Sequence, residues 1–107
     1  MADLPNMNLD ELAVFKSLAA SNEDGPVLML NLNRYGPEAG YPDGAVYREY
    51  MTVLDQLVAE VGGRILWRTN IQGTLVGTQH IHEALGIWYP SHQAFLDIMT
   101  APSAARN

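Results

Sequence analysis

Asn31, Asn33 and Arg34 close the run PVLMLNLNRYG, an otherwise apolar stretch from Pro26 to Gly36. An amide that half-enters a core needs partners for both its donor and its acceptor, so Asn31 is either a structural pin or the floor of a pocket. His80 and His82 form an H-x-H pair, and in an extended segment such neighbours share a face, where both imidazoles approach one metal. No third ligand with a recognisable spacing accompanies them, and Glu83 is expected on the opposite face. A polar hairpin turn therefore accounts for the pair, and neither metal nor cofactor is expected. His82 by itself is expected to point the same way as Trp88, where an imidazole can move a proton at about neutral pH; the competing reading is a hydrogen-bonded structural histidine. Trp67 and Trp88 fall on strands expected to be adjacent, and their flat rings either stack on an aromatic ligand or fill the core. The hydroxyls of Tyr47 and Tyr50 reach a pocket edge or simply pack. Arg34, Arg64 and Arg68 suit a carboxylate, or ordinary surface ion pairs.

Other chemistries lack their signatures. Ser91 follows Pro90 at a helix start, where an N-cap explains it, and no nucleophile-elbow glycines surround it. No phosphate-cradling glycine loop or dinucleotide fingerprint occurs. The 12 acidic and 6 basic residues, net charge −6, oppose a nucleic-acid partner, which needs clustered cations. With no cysteine there is no disulfide, thiolate nucleophile or cysteine metal site, in keeping with a reducing compartment. No apolar run approaches the roughly 20 residues of a membrane helix. The opening MADLPNMNLDEL lacks the basic start and apolar centre of a signal peptide, so a soluble cytoplasmic protein is expected.

These residues need elements to place them. Asn8 and Glu11 stand at capping-box spacing before an apolar stripe of Leu9, Leu12, Phe15, Leu18 and Ala19, which predicts a helix over 9–20. SNEDGP ends it, and a strand follows at 27–33. The loop RYGPEAGYPDG, rich in helix and strand breakers, lies at the surface. From 45 to 61, Tyr47, Tyr50, Met51, Leu54, Leu57, Val58 and Val61 recur at three and four, a long helix that Gly62 and Gly63 stop. RILWRTN sets Arg64, Leu66 and Arg68 against Ile65, Trp67 and Thr69, a half-buried strand expected to bend at Gly73 and run on through TLVG to Gly77. The next strand, 82–89, places Leu85, Ile87 and Tyr89 on one face and His82, Ala84, Gly86 and Trp88 on the other. After Pro90 a short helix carries Ala94, Phe95, Ile98 and Met99.

A chain of 107 residues is one domain, and folding at this size hides about 65% of the extended chain's surface. Residues 1–25 read as an N-terminal helical extension and 26–107 as an α+β domain. Strand, helix, strand, strand, helix is most of a split βαβ unit, the ferredoxin-like sandwich. One more strand would complete it, and Thr100–Asn107 is too poor in β-branched and aromatic residues to supply it. The first strand is therefore expected to have an open edge, which invites pairing with another chain. Leu28, Leu30 and Leu32, with Leu85, Ile87 and Tyr89, are expected to pack on the helices, leaving Met29, Asn31, His82 and Trp88 facing a partner subunit.

Together, GPVLMLNLNRY, the Tyr47-x-x-Tyr50 pair, VGGRILWR from Val61 to Arg68, Gly77, and WYPSHQAFLDIM from Trp88 to Met99 resemble the domain of unknown function 1330 family, over roughly Pro26 to Pro102. The resemblance implies a dimeric α/β barrel of the ferredoxin-like superfamily, a homodimer in which two four-stranded sheets meet and helices cover the outside. Members commonly show Trp-Asp where this chain has Ile81-His82, and they continue past the last helix into a final strand where this chain has Pro102 and Ser103. The family has no settled activity, so the likeness transfers a fold and not a mechanism. Similar-looking dimeric barrels oxidise or isomerise small aromatic molecules without a metal, which implies that an enzyme of this shape would abstract a proton from a small aromatic or carbonyl compound, or oxidise it without a cofactor. His82 would then be the base, Asn31 would orient a carbonyl, Trp67 and Trp88 would be walls, and Tyr50 would sit at the edge. The alternative is a non-catalytic dimeric binding or stress-associated module whose polar residues only set subunit register.

Overall fold

The computed structural model describes residues 8–100, with side chains through residue 98. The first seven residues and the tail beyond Thr100, where a last strand would have to lie, fall outside that range. Helix α1 (Leu9–Ala19) starts at its capping box, the Asn8 side chain accepting from the Glu11 amide at 3.1 Å. Leu12, Phe15 and Leu18 are half-buried, whereas Leu9, expected on the same stripe, is exposed. Phe15 meets the rings of His92 and Phe95 edge-on at 4.7 and 5.4 Å, which sets α1 on helix α3 (His92–Leu96). The turn between α1 and the sheet does more than end a helix. Asp24 accepts from the His92 and Gln93 amides at 2.7 and 3.2 Å and from His92 Nδ1 at 2.7 Å. Ser91 Oγ accepts from the Ala94 amide at 3.0 Å, so two side chains cap α3.

Strands β1 (Val27–Asn33), β2 (Arg64–Asn70) and β3 (Glu83–Tyr89) form an antiparallel sheet in the order β1-β3-β2. Between β1 and β2 runs helix α2 (Ala45–Glu60), which stops where Gly62 takes a left-handed φ of 82° and the Gly63 amide bonds the Val58 carbonyl at 2.8 Å. Tyr47, Met51 and Val58 of α2 and Ala94 of α3 pack on Leu85, Ile87 and Tyr89, so both helices cover the same face. Leu85 and Ile87 are fully buried, each contributing about 1.5–3 kcal/mol of apolar transfer. This α+β architecture is consistent with a ferredoxin-like fold.

Pairing register overturns the expected sorting of β1. Residues directly opposite one another share a face. Val27 faces Tyr89, Met29 faces Ile87 and Asn31 faces Leu85, while Leu28 faces Trp88, Leu30 faces Gly86 and Leu32 faces Ala84. Met29 and Asn31 therefore lie on the helix-covered side, and the three leucines stand 51–59% exposed on the open side. A one-residue change in pairing moves a whole strand's side chains across the sheet, and each strand's own pattern leaves that choice open.

A second correction comes from a bulge. Ile65 pairs with Ile87 but Trp67 pairs with Gly86, leaving Leu66 as an inserted residue. Beyond it the alternation is reversed: Trp67 and Thr69 join the open face, and Arg68 and Asn70 turn to the helix side. A Cβ on Gly86 would overlap the Trp67 indole, which lies against the bare backbone there. Arg64 sits over the Trp88 ring, 5.1 Å from its centroid, on the same open face. A third correction concerns TLVG. β2 ends at Asn70; one further bond runs from the Ile71 amide to the His82 carbonyl at 3.0 Å, and the residues between them form an irregular arm. Thr74 Oγ1 donates to the Gln79 carbonyl at 2.8 Å to close the arm, and Leu75 at its tip is 103% exposed. His82 accordingly precedes β3 instead of opening it.

Candidate functional site

Asn33, Asn70 and Glu83 are paired across the sheet at one end, where β1 and β2 finish and β3 begins. The loop after β1 folds back over that end through a short 3-10 turn at Pro37–Ala39 and the left-handed Gly40, φ 67°. This return brings Tyr35 and Tyr41 against the first turn of α2, which contributes Tyr47. The Tyr35 and Tyr41 rings stack at 5.0 Å, and Tyr47 meets them edge-on at 5.2 and 4.8 Å.

Glu83 is enclosed by these rings and only 4% exposed. A buried carboxyl group requires donors, and it has two: Tyr35 Oη donates to Oε1 at 2.7 Å and Tyr47 Oη donates to Oε2 at 2.6 Å. Asn33 Nδ2 donates in turn to Tyr35 Oη at 3.0 Å, and Tyr41 donates to Asn70 Oδ1. Burial pushes the Tyr35 and Tyr47 phenols far above the usual tyrosine range, and the hydrogen bond to Glu83 pushes the same way. Tyr41 is raised by burial and then by the Glu83 charge, with Arg68 opposing. Burial also raises Tyr50, the Asn33 amide pulling against it.

A cleft of about 510 Å³ opens between α2 and the end of β2. Buried Glu83, Tyr47 and Met51 form its floor, with Arg48, Arg68 and Tyr41 among its walls. Tyr41 also borders a second cavity of about 510 Å³, shared with Arg34, Tyr35, His80 and His82. Among the described residues no three His, Cys, Asp or Glu side chains are grouped so as to hold a metal ion.

The structure separates the residues that the sequence suggested would act together. Asn31 is half-buried under the helices and lines neither cavity. Trp67 and Trp88 are on the far side of the sheet. His82 borders the second cavity, but its Nδ1 already accepts the Tyr35 backbone N–H at 2.8 Å, and its own amide donates to the Asn33 carbonyl at 2.9 Å. Tyr50, expected on the buried stripe of α2, is 42% exposed and flanks Tyr35 at 6.2 Å. Sequence reasoning missed Glu83, Tyr35 and Tyr41. Their signal was present in the lone acid heading the apolar strand EALGIWY and in the four tyrosines between positions 35 and 50.

No family model and no curated protein matches this chain. Among solved structures it is similar to the crystal structure of RPA0582, described as a protein of unknown function from Rhodopseudomonas palustris. That likeness has a TM-score of 0.65 and 27% identity, over 94% of this chain and 80% of that one. The crystal structure of the methylated RPA0582 protein gives a TM-score of 0.68 and 27% identity, over 99% of this chain and 82% of that one. No described helix is long and apolar enough to cross a membrane.

Proposed function

We propose that this protein binds a small aromatic or carbonyl compound in the cleft between α2 and β2 and moves a proton on it through Glu83, without a metal. The observation that carries this reading is the Glu83 carboxyl group, buried at the floor of an open cleft and held by two phenols. Each carboxyl oxygen has two acceptor positions and the tyrosines fill one apiece, so Glu83 keeps capacity to take a proton from a bound molecule. Before the step Glu83 holds the one proton of the Tyr47 hydroxyl; once Glu83 is protonated, Tyr47 at the same floor is free to turn that proton to the enolate oxygen. Glu83 thus takes the role that His82 has in the reading of the sequence alone, and Tyr47 takes that of Asn31.

The same reading makes the protein a homodimer of the domain of unknown function 1330 type. Leu28, Leu30, Leu32, Leu66, Trp67 and Trp88 give the open sheet face an apolar surface suited to a second copy. A single substitution there, Leu30→Asp, is expected to shift the protein to monomer in sedimentation.

Phenylpyruvate in deuterium oxide, followed by proton NMR, tests the site. In the proposed step the C–H bond next to the ketone breaks, the proton passes to Glu83 and the electron pair enters an enolate; deuterium then returns from solvent. The protein is expected to speed deuterium uptake at that carbon, and Glu83→Gln, which retains an acceptor for the tyrosines, is expected to abolish the effect. Equal uptake with and without the protein, or undiminished uptake with Glu83→Gln, overturns the proposal.

A further inference from the structure

Two guanidinium groups reach the cleft, one from each wall: Arg48 from the first turn of α2 and Arg68 from β2. Strict alternation would have put Arg68 on the open face; the bulge at Leu66 turns it to the helix side instead. Among the described residues neither arginine makes an ion pair, although acidic residues outnumber basic ones twofold in this chain. Arg68 lies near enough to act electrostatically on the Tyr41 and Tyr47 phenols, so its charge stands over the floor of the cleft. Asp55, which also lines the cleft, is seven residues from Arg48, about 10 Å along α2, and pairs with neither arginine.

We infer that the cleft is selective for small carboxylic acids, with the ligand's carboxylate between Arg68 and Arg48 and its proton-bearing carbon or hydroxyl over Glu83 and Tyr47. This rests on the proposed binding site and adds the ligand's charge. A planar guanidinium matches a carboxylate with two parallel hydrogen bonds, whereas a neutral amide offers one acceptor and no charge. Repulsion from Glu83 orients the molecule, since the acid group cannot approach the floor and its less polar end must.

Calorimetric titration with benzoate and benzamide, and with salicylate and salicylamide, tests this on the intact protein and on Arg68→Gln, a surface change that leaves the core untouched. Each acid is expected to bind about tenfold more tightly than its amide, the preference falling to within about threefold in Arg68→Gln while amide binding holds. Equal affinity for acid and amide, or a preference that survives Arg68→Gln, overturns the inference and leaves the site itself standing. If neither acids nor amides bind, or if Thr52→Trp in the α2 wall of the cleft leaves their binding intact, the site falls and the inference with it.

Discussion

On the helix-covered face of the sheet a glutamate is 4% exposed, while on the opposite face Leu28, Leu30 and Leu32 stand at 51–59%. Hydrophobicity alone would exchange them. Glu83 stays inside because two phenols satisfy it and the tyrosine rings around it supply the apolar packing that the carboxyl group does not. The leucines stay outside because pairing register, fixed by all seven rungs between β1 and β3, places Met29 and Asn31 under the helices. Each face breaks the usual rule for its own reason. One holds a polar group that the fold has enclosed with donors, and the other holds apolar surface with none of the described residues above it.

The largest expected effect separates the two faces by stability. Leu85→Ala empties a fully buried position and is expected to cost about 3 kcal/mol in urea unfolding. Leu30→Ala, measured at protein concentrations low enough to keep single chains, is expected to cost less than about 1 kcal/mol. Equal costs would mean that the open face is not open.

Next in size is the enclosed carboxyl group. Tyr47→Phe leaves one buried oxygen of Glu83 without its donor and is expected to cost about 1–3 kcal/mol. The same change at Tyr41, whose bond to Asn70 is exposed, is expected to cost clearly less. Should the two variants melt together, the hydrogen bonds to Glu83 contribute nothing special.

The smallest effects are in pH dependence, and the sign differs between the two ends of the domain. Tyr35 and Tyr47 hold their protons more tightly folded than unfolded, so their contribution is complete below about pH 10 and is lost as pH climbs beyond it. Thermal melts are expected to fall above about pH 10, less steeply in Tyr47→Phe. At the α3 cap, burial works to raise Asp24, but the His92 and Gln93 amides and the His92 ring outweigh it and hold the carboxyl below its usual range. Its contribution is present above about pH 4 and is lost as pH falls further, so Asp24→Asn is expected to flatten the acid limb of the same melts.

Much of the fold was legible because its signals are local. The Asn8 cap, the three-and-four spacing along α2, the stop at Gly62 and the Ser91 cap each depend on a few neighbouring residues. The site was less legible because it depends on relations between strands. Whether Leu30 or Asn31 meets the helices is decided by pairing with β3, and whether Trp67 or Arg68 faces them is decided by an inserted Leu66 that leaves the alternating pattern of RILWRTN looking regular. Alternation within single strands gathers Asn31, His82, Trp67 and Trp88 at one place; the pairing register and the bulge separate them. The Tyr35–Glu83–Tyr47 bridge spans 48 and 36 positions of sequence, a distance at which no spacing rule operates.

The central claim is that ligand binds over Glu83 and not on the leucine face. Adding salicylate to isotopically labelled protein and following backbone amide shifts by NMR tests it most directly. Saturable shifts concentrated at Tyr47, Thr69, Asn70 and Glu83 are the predicted result. Shifts confined to Leu28, Leu30, Leu32 and Trp88, or none at all, would contradict the account.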